Sequence, residues 1–242
     1  MTREILATLP RIYLGAQSII YLWMDSAEGS GHPVIVKIPR QDPAPTRARA
    51  RLAHEYVITR DLMLPGIRRT YGFLEIEGIP AVLLEYLEAD TLCEAFVRQR
   101  RCLEEMLLVS ISISSAVHQL HRAGLLHRNL CCPNILVDRQ SLTATLIDFS
   151  LAVRSDATSD EMRETLEGPL AYLSPEQIRP TGQPVDVRSD LYMLGVTLYE
   201  VWTGRLPFVS DDPLELIHSH LARCPVLPSK VYPVVKTAFG LI

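Results

Sequence analysis

The chain has 242 residues, of which 48% are hydrophobic and 21% are charged. This length and composition exclude an intrinsically disordered chain and predict a packed globular protein with one large domain or two lobes. The formal net charge of -4 provides no basic field to attract a phosphate backbone, so we expect no nucleic-acid partner.

The first forty residues predict the start of a small β-sheet. Apolar and polar positions alternate from 9 to 23 around Gly15, which indicates a hairpin, and Pro33 to Ile38 has the composition of a third strand. The N-terminal residues lack the continuous apolar segment of a signal peptide.

A helix and two further strands are predicted next. Thr46 is a suitable N-cap for a helix from 47 to 64 that contains Glu55 and ends before a Pro-Gly pair. Residues 70–76 and 80–85 have strand patterns, and a short polar linker follows them.

The rest of the chain is predicted to be mainly helical. Apolar residues recur at helical spacing from 103 to 122, and Gly124 is a suitable C-terminal stop. A strongly apolar helix within 185–208 is predicted to follow Ser189, and Asp212 with the next proline would begin another. The most apolar stretch is interrupted by polar residues, so we predict no membrane span and expect a cytoplasmic location.

The cysteines and histidines do not form a recognisable metal motif. The five cysteines are Cys93, Cys102, Cys131, Cys132 and Cys224. They include an adjacent pair but no C-x-x-C, which favours free thiols in a reducing compartment over a disulfide framework or a zinc site. The pairs His118/His121 and His218/His220 lack an H-E-x-x-H carboxylate, so they are predicted to be surface or packing side chains.

Three segments carry the strongest functional signal. They are H-R-N-L-C-C-P-N-I-L-V from His127 to Val137, L-I-D-F-S from Leu146 to Ser150, and G-P-L-A-Y-L-S-P-E from Gly168 to Glu176. In this order they resemble the H-R-D-L-x-x-x-N, D-F-G and A-P-E segments of protein kinases. The third segment disfavours a small-molecule phosphotransferase, because such enzymes share the first loop but lack this segment.

The resemblance implies a bilobal α+β protein kinase fold. A small N-terminal sheet lobe with one helix would span residues 9–85, a mainly helical C-lobe would span 86–222, and an atypical tail would span 223–242. Asp190, in the apolar helix, would anchor the backbone of the first loop.

The same resemblance implies a site for ATP and Mg²⁺. Lys37, in V-I-V-K-I, would contact the phosphates, and Glu55 would position that lysine. Asn134 and Asp148 would be the metal ligands. The other cofactor-binding residues implied are Gly15, Glu85 and Leu87.

Several residues depart from the active pattern. Asn129 replaces the aspartate that orients the attacking hydroxyl, and loss of a general base costs on the order of 100- to 10,000-fold. Cys131 replaces a lysine that steadies the transferred phosphoryl group, and losing one such charge costs roughly 3 to 4 kcal/mol. Pro169 stands where Ser/Thr kinases have a threonine. Gly15 alone remains of G-x-G-x-x-G, which predicts weak nucleotide binding, and Ser150 replaces the D-F-G glycine.

We therefore predict a Ser/Thr protein kinase-like domain that is catalytically impaired, a pseudokinase, and that acts as a regulatory or binding module in bacterial signal transduction. A weakly active Ser/Thr kinase is the alternative. The run from Leu170 to Phe208 is similar to kinase-like domains that begin hybrid sensor histidine kinases. Signalling proteins, including downstream sensor histidine kinase modules, are the expected partners.

The last residues do not match a complete C-lobe. Residues 223–242 are too few and too apolar to supply its final helices, so we expect a truncated C-lobe. An uncovered apolar surface is then predicted near the helix around Leu191 to Trp202, with Glu176 left without its usual arginine.

Overall fold

The computed structural model describes residues 3–15, 17–24, 32–40, 45–99, 101–156, 168–178 and 185–233. Two compact units make up the chain, one comprising Met1–Met63 and Ile67–Glu88 and the other comprising Leu64–Gly66 and Ala89–Ile242. The first contains an antiparallel sheet and the second is mainly helical, which confirms the predicted bilobal α+β fold.

The first unit is built around a five-stranded sheet. Its elements are α1 (Arg3–Thr8), β1 (Arg11–Leu14), β2 (Ser18–Met24), β3 (Pro33–Pro39), α2 (Pro45–Thr59), β4 (Thr70–Ile76) and β5 (Ile79–Glu85). The strand order is β1-β2-β3-β5-β4. The predicted hairpin around Gly15 is confirmed as β1 and β2, which pair antiparallel with Leu14 opposite Ile19.

Strand β3 separates two apolar clusters because its side chains alternate between the faces of the sheet. Val36 lies in one cluster, whereas Ile35 packs with Leu52 of α2 in the other. Lys37 is two residues after Ile35, so the alternation directs it to the face covered by α2.

Helix α2 differs from its predicted bounds at both ends. It begins at Pro45, so Thr46 lies inside the helix and is not its N-cap, and the fixed φ of proline suits a first turn. It ends at Thr59, where the N–H of Leu62 donates to the Thr59 carbonyl at 3.0 Å and closes a tighter turn. A helix through 64 is also disfavoured because Pro65 restricts the backbone of the residue before it.

The second unit combines short strands with longer helices. Its elements are β6 (Asp90–Thr91), a π-helical turn (Cys93–Val97), α3 (Leu103–Arg122), β7 (Leu125–Leu126), a 3₁₀ turn (Cys132–Asn134), β8 (Ile135–Val137), β9 (Ala144–Leu146), β10 (Val153–Arg154), α4 (Pro175–Ile178), α5 (Val187–Thr203), α6 (Pro213–Ala222) and α7 (Pro228–Val231). Strands β6, β8 and β9 form one small sheet, and β7 pairs with β10. These short strands fix the ends of the loops that carry the kinase-like motifs.

Helix α3 has the predicted bounds but not the whole predicted core face. The Glu105 carboxylate accepts a hydrogen bond from the Cys102 N–H at 3.1 Å at its start, and Gly124 follows its end with a φ of +73°. Val117 and Leu120 are buried as the spacing predicts, but Ile111 is 64% exposed. The buried face instead runs through Met106, Val109, Ile113 and Ala116.

Helices α5 and α6 both begin at an aspartate N-cap. The Asp186 carboxylate accepts from the N–H of Arg188 at 2.8 Å, so Ser189 lies within α5 rather than before it, which corrects the prediction. Asp212 caps α6 by accepting from the Leu214 N–H at 2.9 Å, with Pro213 in the first turn, as predicted.

Apolar side chains are exposed on α5 beside an otherwise buried face. Leu191 is 51% exposed and Val187 is 39% exposed, whereas Met193, Val196 and Trp202 are buried, so the uncovered apolar surface expected around Leu191 to Trp202 stays a prediction. The Tyr199 hydroxyl donates to the carbonyl of Val226 at 2.8 Å, so the segment before α7 packs on α5. Residues 234–242 of the predicted tail lie outside the described part of the chain.

Candidate functional site

In the first unit, Lys37 and Glu55 form a buried ion pair. The Lys37 Nζ lies 2.5 Å from Glu55 Oε2, and the two side chains are only 8% and 3% exposed. Glu55 is three residues after Leu52, so both face the sheet from α2. The structure therefore brings together the two residues that the resemblance implies for orienting ATP.

The remaining predicted residues of the first unit lie on its loops and strand ends. The Gly15 N–H donates to the Ser18 carbonyl at 2.9 Å within the β1–β2 turn, and residue 16 lies outside the described residues. Glu85 ends β5, and its backbone carbonyl accepts from Arg68 Nε at 2.9 Å. Leu87 follows in the half-buried segment after β5.

In the second unit, Asp190 holds the start of the segment from His127 to Asn134, which is called the kinase-like loop below. This fully buried carboxylate accepts from the backbone N–H groups of His127 and Arg128, each at 2.8 Å, and its Oδ2 lies 2.8 Å from His121 Nε2. The predicted anchoring role of Asp190 is confirmed. No sequence pattern indicated the contact of His121 with Asp190; His121 was predicted only to be a surface or packing side chain.

Arg128 adopts a left-handed backbone conformation that the neighbouring segment supports. Its φ is +60°, which costs a non-glycine residue roughly 1 to 2 kcal/mol, and its carbonyl accepts from Gln177 Nε2 at 3.2 Å. Gln177 is in turn held by the Ser174 hydroxyl, which donates to its Oε1 at 2.9 Å. The S-P-E segment thus helps to hold the loop in place.

Asn129, Asn134 and Asp148 lie together in the second unit. The Asn129 side chain donates through Nδ2 to Asp148 Oδ2 at 3.2 Å, and the Asn134 side chain donates through Nδ2 to the Asn129 carbonyl at 2.9 Å. Asp148 has a φ of +62°. The loop therefore presents one carboxylate, from Asp148, and two amides where an active kinase has two carboxylates and one amide.

The other polar atom of the Asn129 side chain faces the predicted activation segment. Its Oδ1 is buried without a hydrogen-bond partner among the described residues, and it would lie 3.4 Å from a Cβ added at Gly168. An acceptor left in this way costs about 1 to 3 kcal/mol. Pro169, the next residue, has neither a backbone N–H nor a hydroxyl to satisfy this oxygen.

Cys131 and Cys132 are both buried. Their exposed fractions are 2% and 0%, and burial raises the pKa of the Cys131 thiol far above its ordinary value. A protonated, buried thiol at 131 supplies no positive charge to a phosphoryl group.

Ser150 and Glu176 complete the description of the kinase-like segments. Ser150, which replaces the D-F-G glycine, does not adopt a positive φ. Glu176 receives a hydrogen bond at 2.5 Å from the Ser189 hydroxyl of α5 to its Oε1, so a serine contacts the carboxylate expected to lack its arginine. Ser189 makes this contact from the first turn of α5, which begins at Val187.

Comparison with known proteins identifies the family. Residues 12–234 match the protein kinase domain model, so the chain belongs to the protein kinase domain family. It is 34% identical over 213 residues to a probable serine/threonine-protein kinase of Streptomyces coelicolor, covering 85% of this chain and 31% of that protein.

Two further relatives agree with this assignment. The serine/threonine-protein kinase PknB of Mycolicibacterium smegmatis is 31% identical over 209 residues, covering 81% of this chain and 32% of that protein. The probable serine/threonine-protein kinase PknB of Bifidobacterium longum is 32% identical over 220 residues, covering 84% and 31%. The chain thus spans about a third of the length of these relatives and is a Ser/Thr protein kinase domain homologue. Among the described residues, no helix combines the length and apolar character needed to cross a bilayer.

Proposed function

We propose that this chain is a Ser/Thr protein kinase-like domain that binds ATP with Mg²⁺, transfers phosphoryl groups poorly or not at all, and serves as a regulatory or binding module in bacterial signalling. Membership of the protein kinase domain family supports the nucleotide part of the proposal. The chemistry of the loop from His127 to Asn134 supports the impairment.

The residues present fit a nucleotide and a magnesium ion. Lys37 is buried against Glu55, which holds its ammonium group in one position, and an ammonium is suited to a phosphate oxygen. Mg²⁺ prefers oxygen ligands, and Asp148 supplies a carboxylate. Asn134 uses its nitrogen to bond the Asn129 carbonyl, which leaves its side-chain oxygen as the atom that would bind the cation. ATP, when bound, would supply the γ-phosphoryl group.

The observation that carries the proposed impairment is the contact of Asn129 with Asp148. An amide that donates to a neighbouring carboxylate cannot accept a proton from a substrate hydroxyl at neutral pH. The buried thiol of Cys131 and the ring of Pro169 also lack the charge and the hydroxyl expected beside that position. The aspartate, the lysine and the threonine expected around the transferred phosphoryl group are therefore all replaced. One neutral substitution does not explain three replacements at the same place.

A weakly active Ser/Thr kinase is the second candidate, and one observation favours it. The Lys37–Glu55 pair is intact, and Asn134 and Asp148 lie on adjoining segments of the second unit, joined through the Asn134 carbonyl and the Ile147 N–H at 3.0 Å. Positioning and charge stabilisation alone provide part of the catalysis of phosphoryl transfer.

Partners are proposed from the resemblance to kinase-like domains of hybrid sensor histidine kinases. Signalling proteins, including sensor histidine kinase modules, would dock on this domain and respond to its nucleotide state. A partner can respond to the nucleotide state only if the domain binds ATP. Nucleotide binding is therefore the first test of this proposal.

Calorimetric titration of ATP with and without Mg²⁺ tests the proposed site. We expect weak, Mg²⁺-dependent binding, because only Gly15 remains of the phosphate-covering glycines. Lys37→Ala should abolish the response, whereas Arg60→Ala, which removes an exposed cation from the same unit, should leave it unchanged. No heat at millimolar ATP, or an equal response from Lys37→Ala, would contradict the proposed site.

A further inference from the structure

A buried group of side chains in the second unit has no place in the proposed kinase chemistry. It consists of Cys93, Cys132 and Glu200, whose two sulfur atoms and a carboxylate oxygen all lie within 4.8 Å of one another. We propose that these three side chains form a binding site for one borderline-soft divalent cation of the Zn²⁺ type.

The spacing of the three atoms suits tetrahedral coordination. Zinc binds thiolate sulfur at about 2.3 Å and carboxylate oxygen at about 2.0 to 2.2 Å, so ligand atoms around it are separated by roughly 3.5 to 4 Å. The observed upper limit of 4.8 Å therefore requires only small side-chain adjustments to close on an ion. Three protein ligands leave the fourth position for water or another ligand.

The three ligands come from three separate elements. Cys93 begins the π-helical turn, Cys132 begins the 3₁₀ turn and Glu200 lies near the end of α5. They are distant in the sequence, which is why no C-x-x-C pattern reveals them. A bound ion would join the kinase-like loop to α5 through Cys132.

The surroundings of the cluster resemble those of an ordered metal site. The Tyr172 hydroxyl donates to Glu200 Oε2, which fixes the carboxylate in the way that outer hydrogen bonds orient metal ligands. Cys132 is fully buried and Glu200 is 8% exposed, whereas Cys93 is half-buried and gives solvent a route to the cluster. Two sulfurs and one oxygen favour Zn²⁺ over Mg²⁺, which requires oxygen ligands.

Binding would exchange protons for the metal. Zinc binds cysteine as the thiolate, so any proton on Cys93 or Cys132 must leave when the ion binds. Coordination of a thiol to zinc deprotonates it outright. Two S–H bonds would break, two metal–sulfur bonds and one metal–oxygen bond would form, and two protons would pass to solvent with no change of oxidation state.

Titration of the reduced, metal-free chain with Co²⁺ as a spectroscopic substitute for Zn²⁺ tests the site. We expect one ion per chain, a thiolate-to-cobalt band in the near ultraviolet, strong visible bands of tetrahedral cobalt, and loss of all of them on adding Zn²⁺. Zn²⁺ should also raise the thermal midpoint, because an ion that binds only the folded state stabilises it. Excess Mg²⁺ should produce no thiolate-to-cobalt band and should not displace Co²⁺, and any rise that it causes in the thermal midpoint through Asn134 and Asp148 should persist in Cys93→Ser.

Variants separate this site from other thiols. Cys93→Ser and Cys132→Ser should each remove most of the near-ultraviolet band and weaken Zn²⁺ binding by more than about tenfold. Tyr172→Phe should weaken it by about 10- to 100-fold while keeping the band, as expected for an outer partner. Cys102→Ser and Cys224→Ser remove exposed thiols and should change nothing.

Three results would overturn the proposal. They are no thiolate-to-cobalt band in the folded, reduced protein, a band that survives in both Cys93→Ser and Cys132→Ser, and, in air, oxidation by oxygen to a Cys93–Cys132 disulfide before Co²⁺ or Zn²⁺ binds. Cys93→Ser is the more informative variant for folding, because its side chain is only half-buried. Circular dichroism of each variant establishes that it is folded before titration.

Discussion

Asn129 differs from the aspartate of active kinases in charge, in proton affinity and in the contact it makes. Its amide donates to Asp148 at 3.2 Å, whereas an aspartate would bring a second carboxylate to that position. Two carboxylates that share a site repel each other and raise the pKa of one of them. The amide at 129 therefore avoids this repulsion, and in the proposed function its lack of a carboxylate accounts for poor phosphoryl transfer.

This contact predicts how Asn129→Asp behaves. We expect the variant to lower the thermal midpoint by about 2 to 4 °C in EDTA, the shift that corresponds to about 1 kcal/mol for a chain of this size. Mg²⁺ should reverse this decrease in the thermal midpoint, because a cation between the two carboxylates offsets their repulsion. Thermal melts in EDTA and in Mg²⁺ measure both effects.

Asn129→Ala is the matched control, since it removes the hydrogen bond without adding charge. Its midpoint should gain no more from Mg²⁺ than that of the unmodified chain. A midpoint for Asn129→Asp that equals the unmodified one in EDTA would show that the repulsion is absent. We also expect no normal kinase activity from Asn129→Asp, because Cys131 still supplies no charge.

Helix α5 is the element on which the kinase-like loop depends. From its first turns, Asp190 holds the backbone of His127 and Arg128, and Ser189 holds Glu176. Asp190 and Ser189 are buried although they are polar, which is possible because each side chain has hydrogen-bond partners. The loop geometry is therefore set by α5 and does not require the missing catalytic aspartate.

Asp190→Asn tests this dependence. The amide keeps one acceptor but directs an N–H₂ group at backbone donors, so we expect a loss of about 2 to 4 kcal/mol in the free energy of unfolding. Urea denaturation measures it. Asp61→Asn, at a side chain that is 86% exposed, is the matched control and should cause no measurable change. Equal midpoints for the two variants would mean that Asp190 does not anchor the loop.

Local sequence signals predicted some elements well and failed where tertiary contacts decide. The bounds of α3 and the Asp212 cap follow from short-range rules, and the kinase-like motifs identified the fold. The start of α5 was predicted wrongly because aspartate and serine are both good N-caps in isolation. In the folded protein the Asp186 carboxylate caps the helix, and the Ser189 hydroxyl instead contacts Glu176.

In the candidate site, the sequence predicted which residues matter but not which atoms contact each other. The motifs named Lys37, Glu55 and Asp190 in advance, because their types and order are specific. The resemblance placed the segments of Asn129 and Asp148 in one site, but no sequence pattern indicates that the Asn129 amide donates to Asp148 or that Cys93 lies near Glu200. Such contacts depend on the packing of distant elements.

The folded molecule as a whole carries a buried histidine beneath the loop. His127 is fully buried, and its ring centroid lies 4.7 Å from that of Phe149. Its Nε2 lies 3.2 Å from the Ile147 carbonyl, whereas its Nδ1 has no partner among the described residues. The neutral ring donates through Nε2, so protonation would place an unpaired N–H in the core. Burial accordingly lowers the pKa of His127 below its ordinary value.

This arrangement predicts a loss of stability in mild acid. A histidine whose pKa is lower in the folded than in the unfolded protein contributes fully above the unfolded pKa of about 6.5 and loses its contribution as the pH falls through the folded value. His220, whose pKa is also lowered by burial, acts in the same direction. Urea denaturation between about pH 7.5 and pH 5.5 should show the decline.

Histidine variants identify the groups responsible for that decline. His127→Phe should be less stable at neutral pH, because it loses the bond to Ile147, but its stability should fall less on acidification. His118→Gln, at an exposed position, should retain the full decline. An unchanged pH dependence in His127→Phe would exclude His127 as a source.

Phosphoryl transfer is the property that most directly tests the proposed function. Radiolabelled ATP with Mg²⁺ and generic protein substrates measures it, with Asp148→Ala as the control for contaminating kinases. We predict a turnover below about 0.01 per second, at least about a hundredfold under the ordinary kinase rate of about 1 per second or more. A turnover near 1 per second that Asp148→Ala abolishes would contradict the account and establish the chain as an active Ser/Thr kinase.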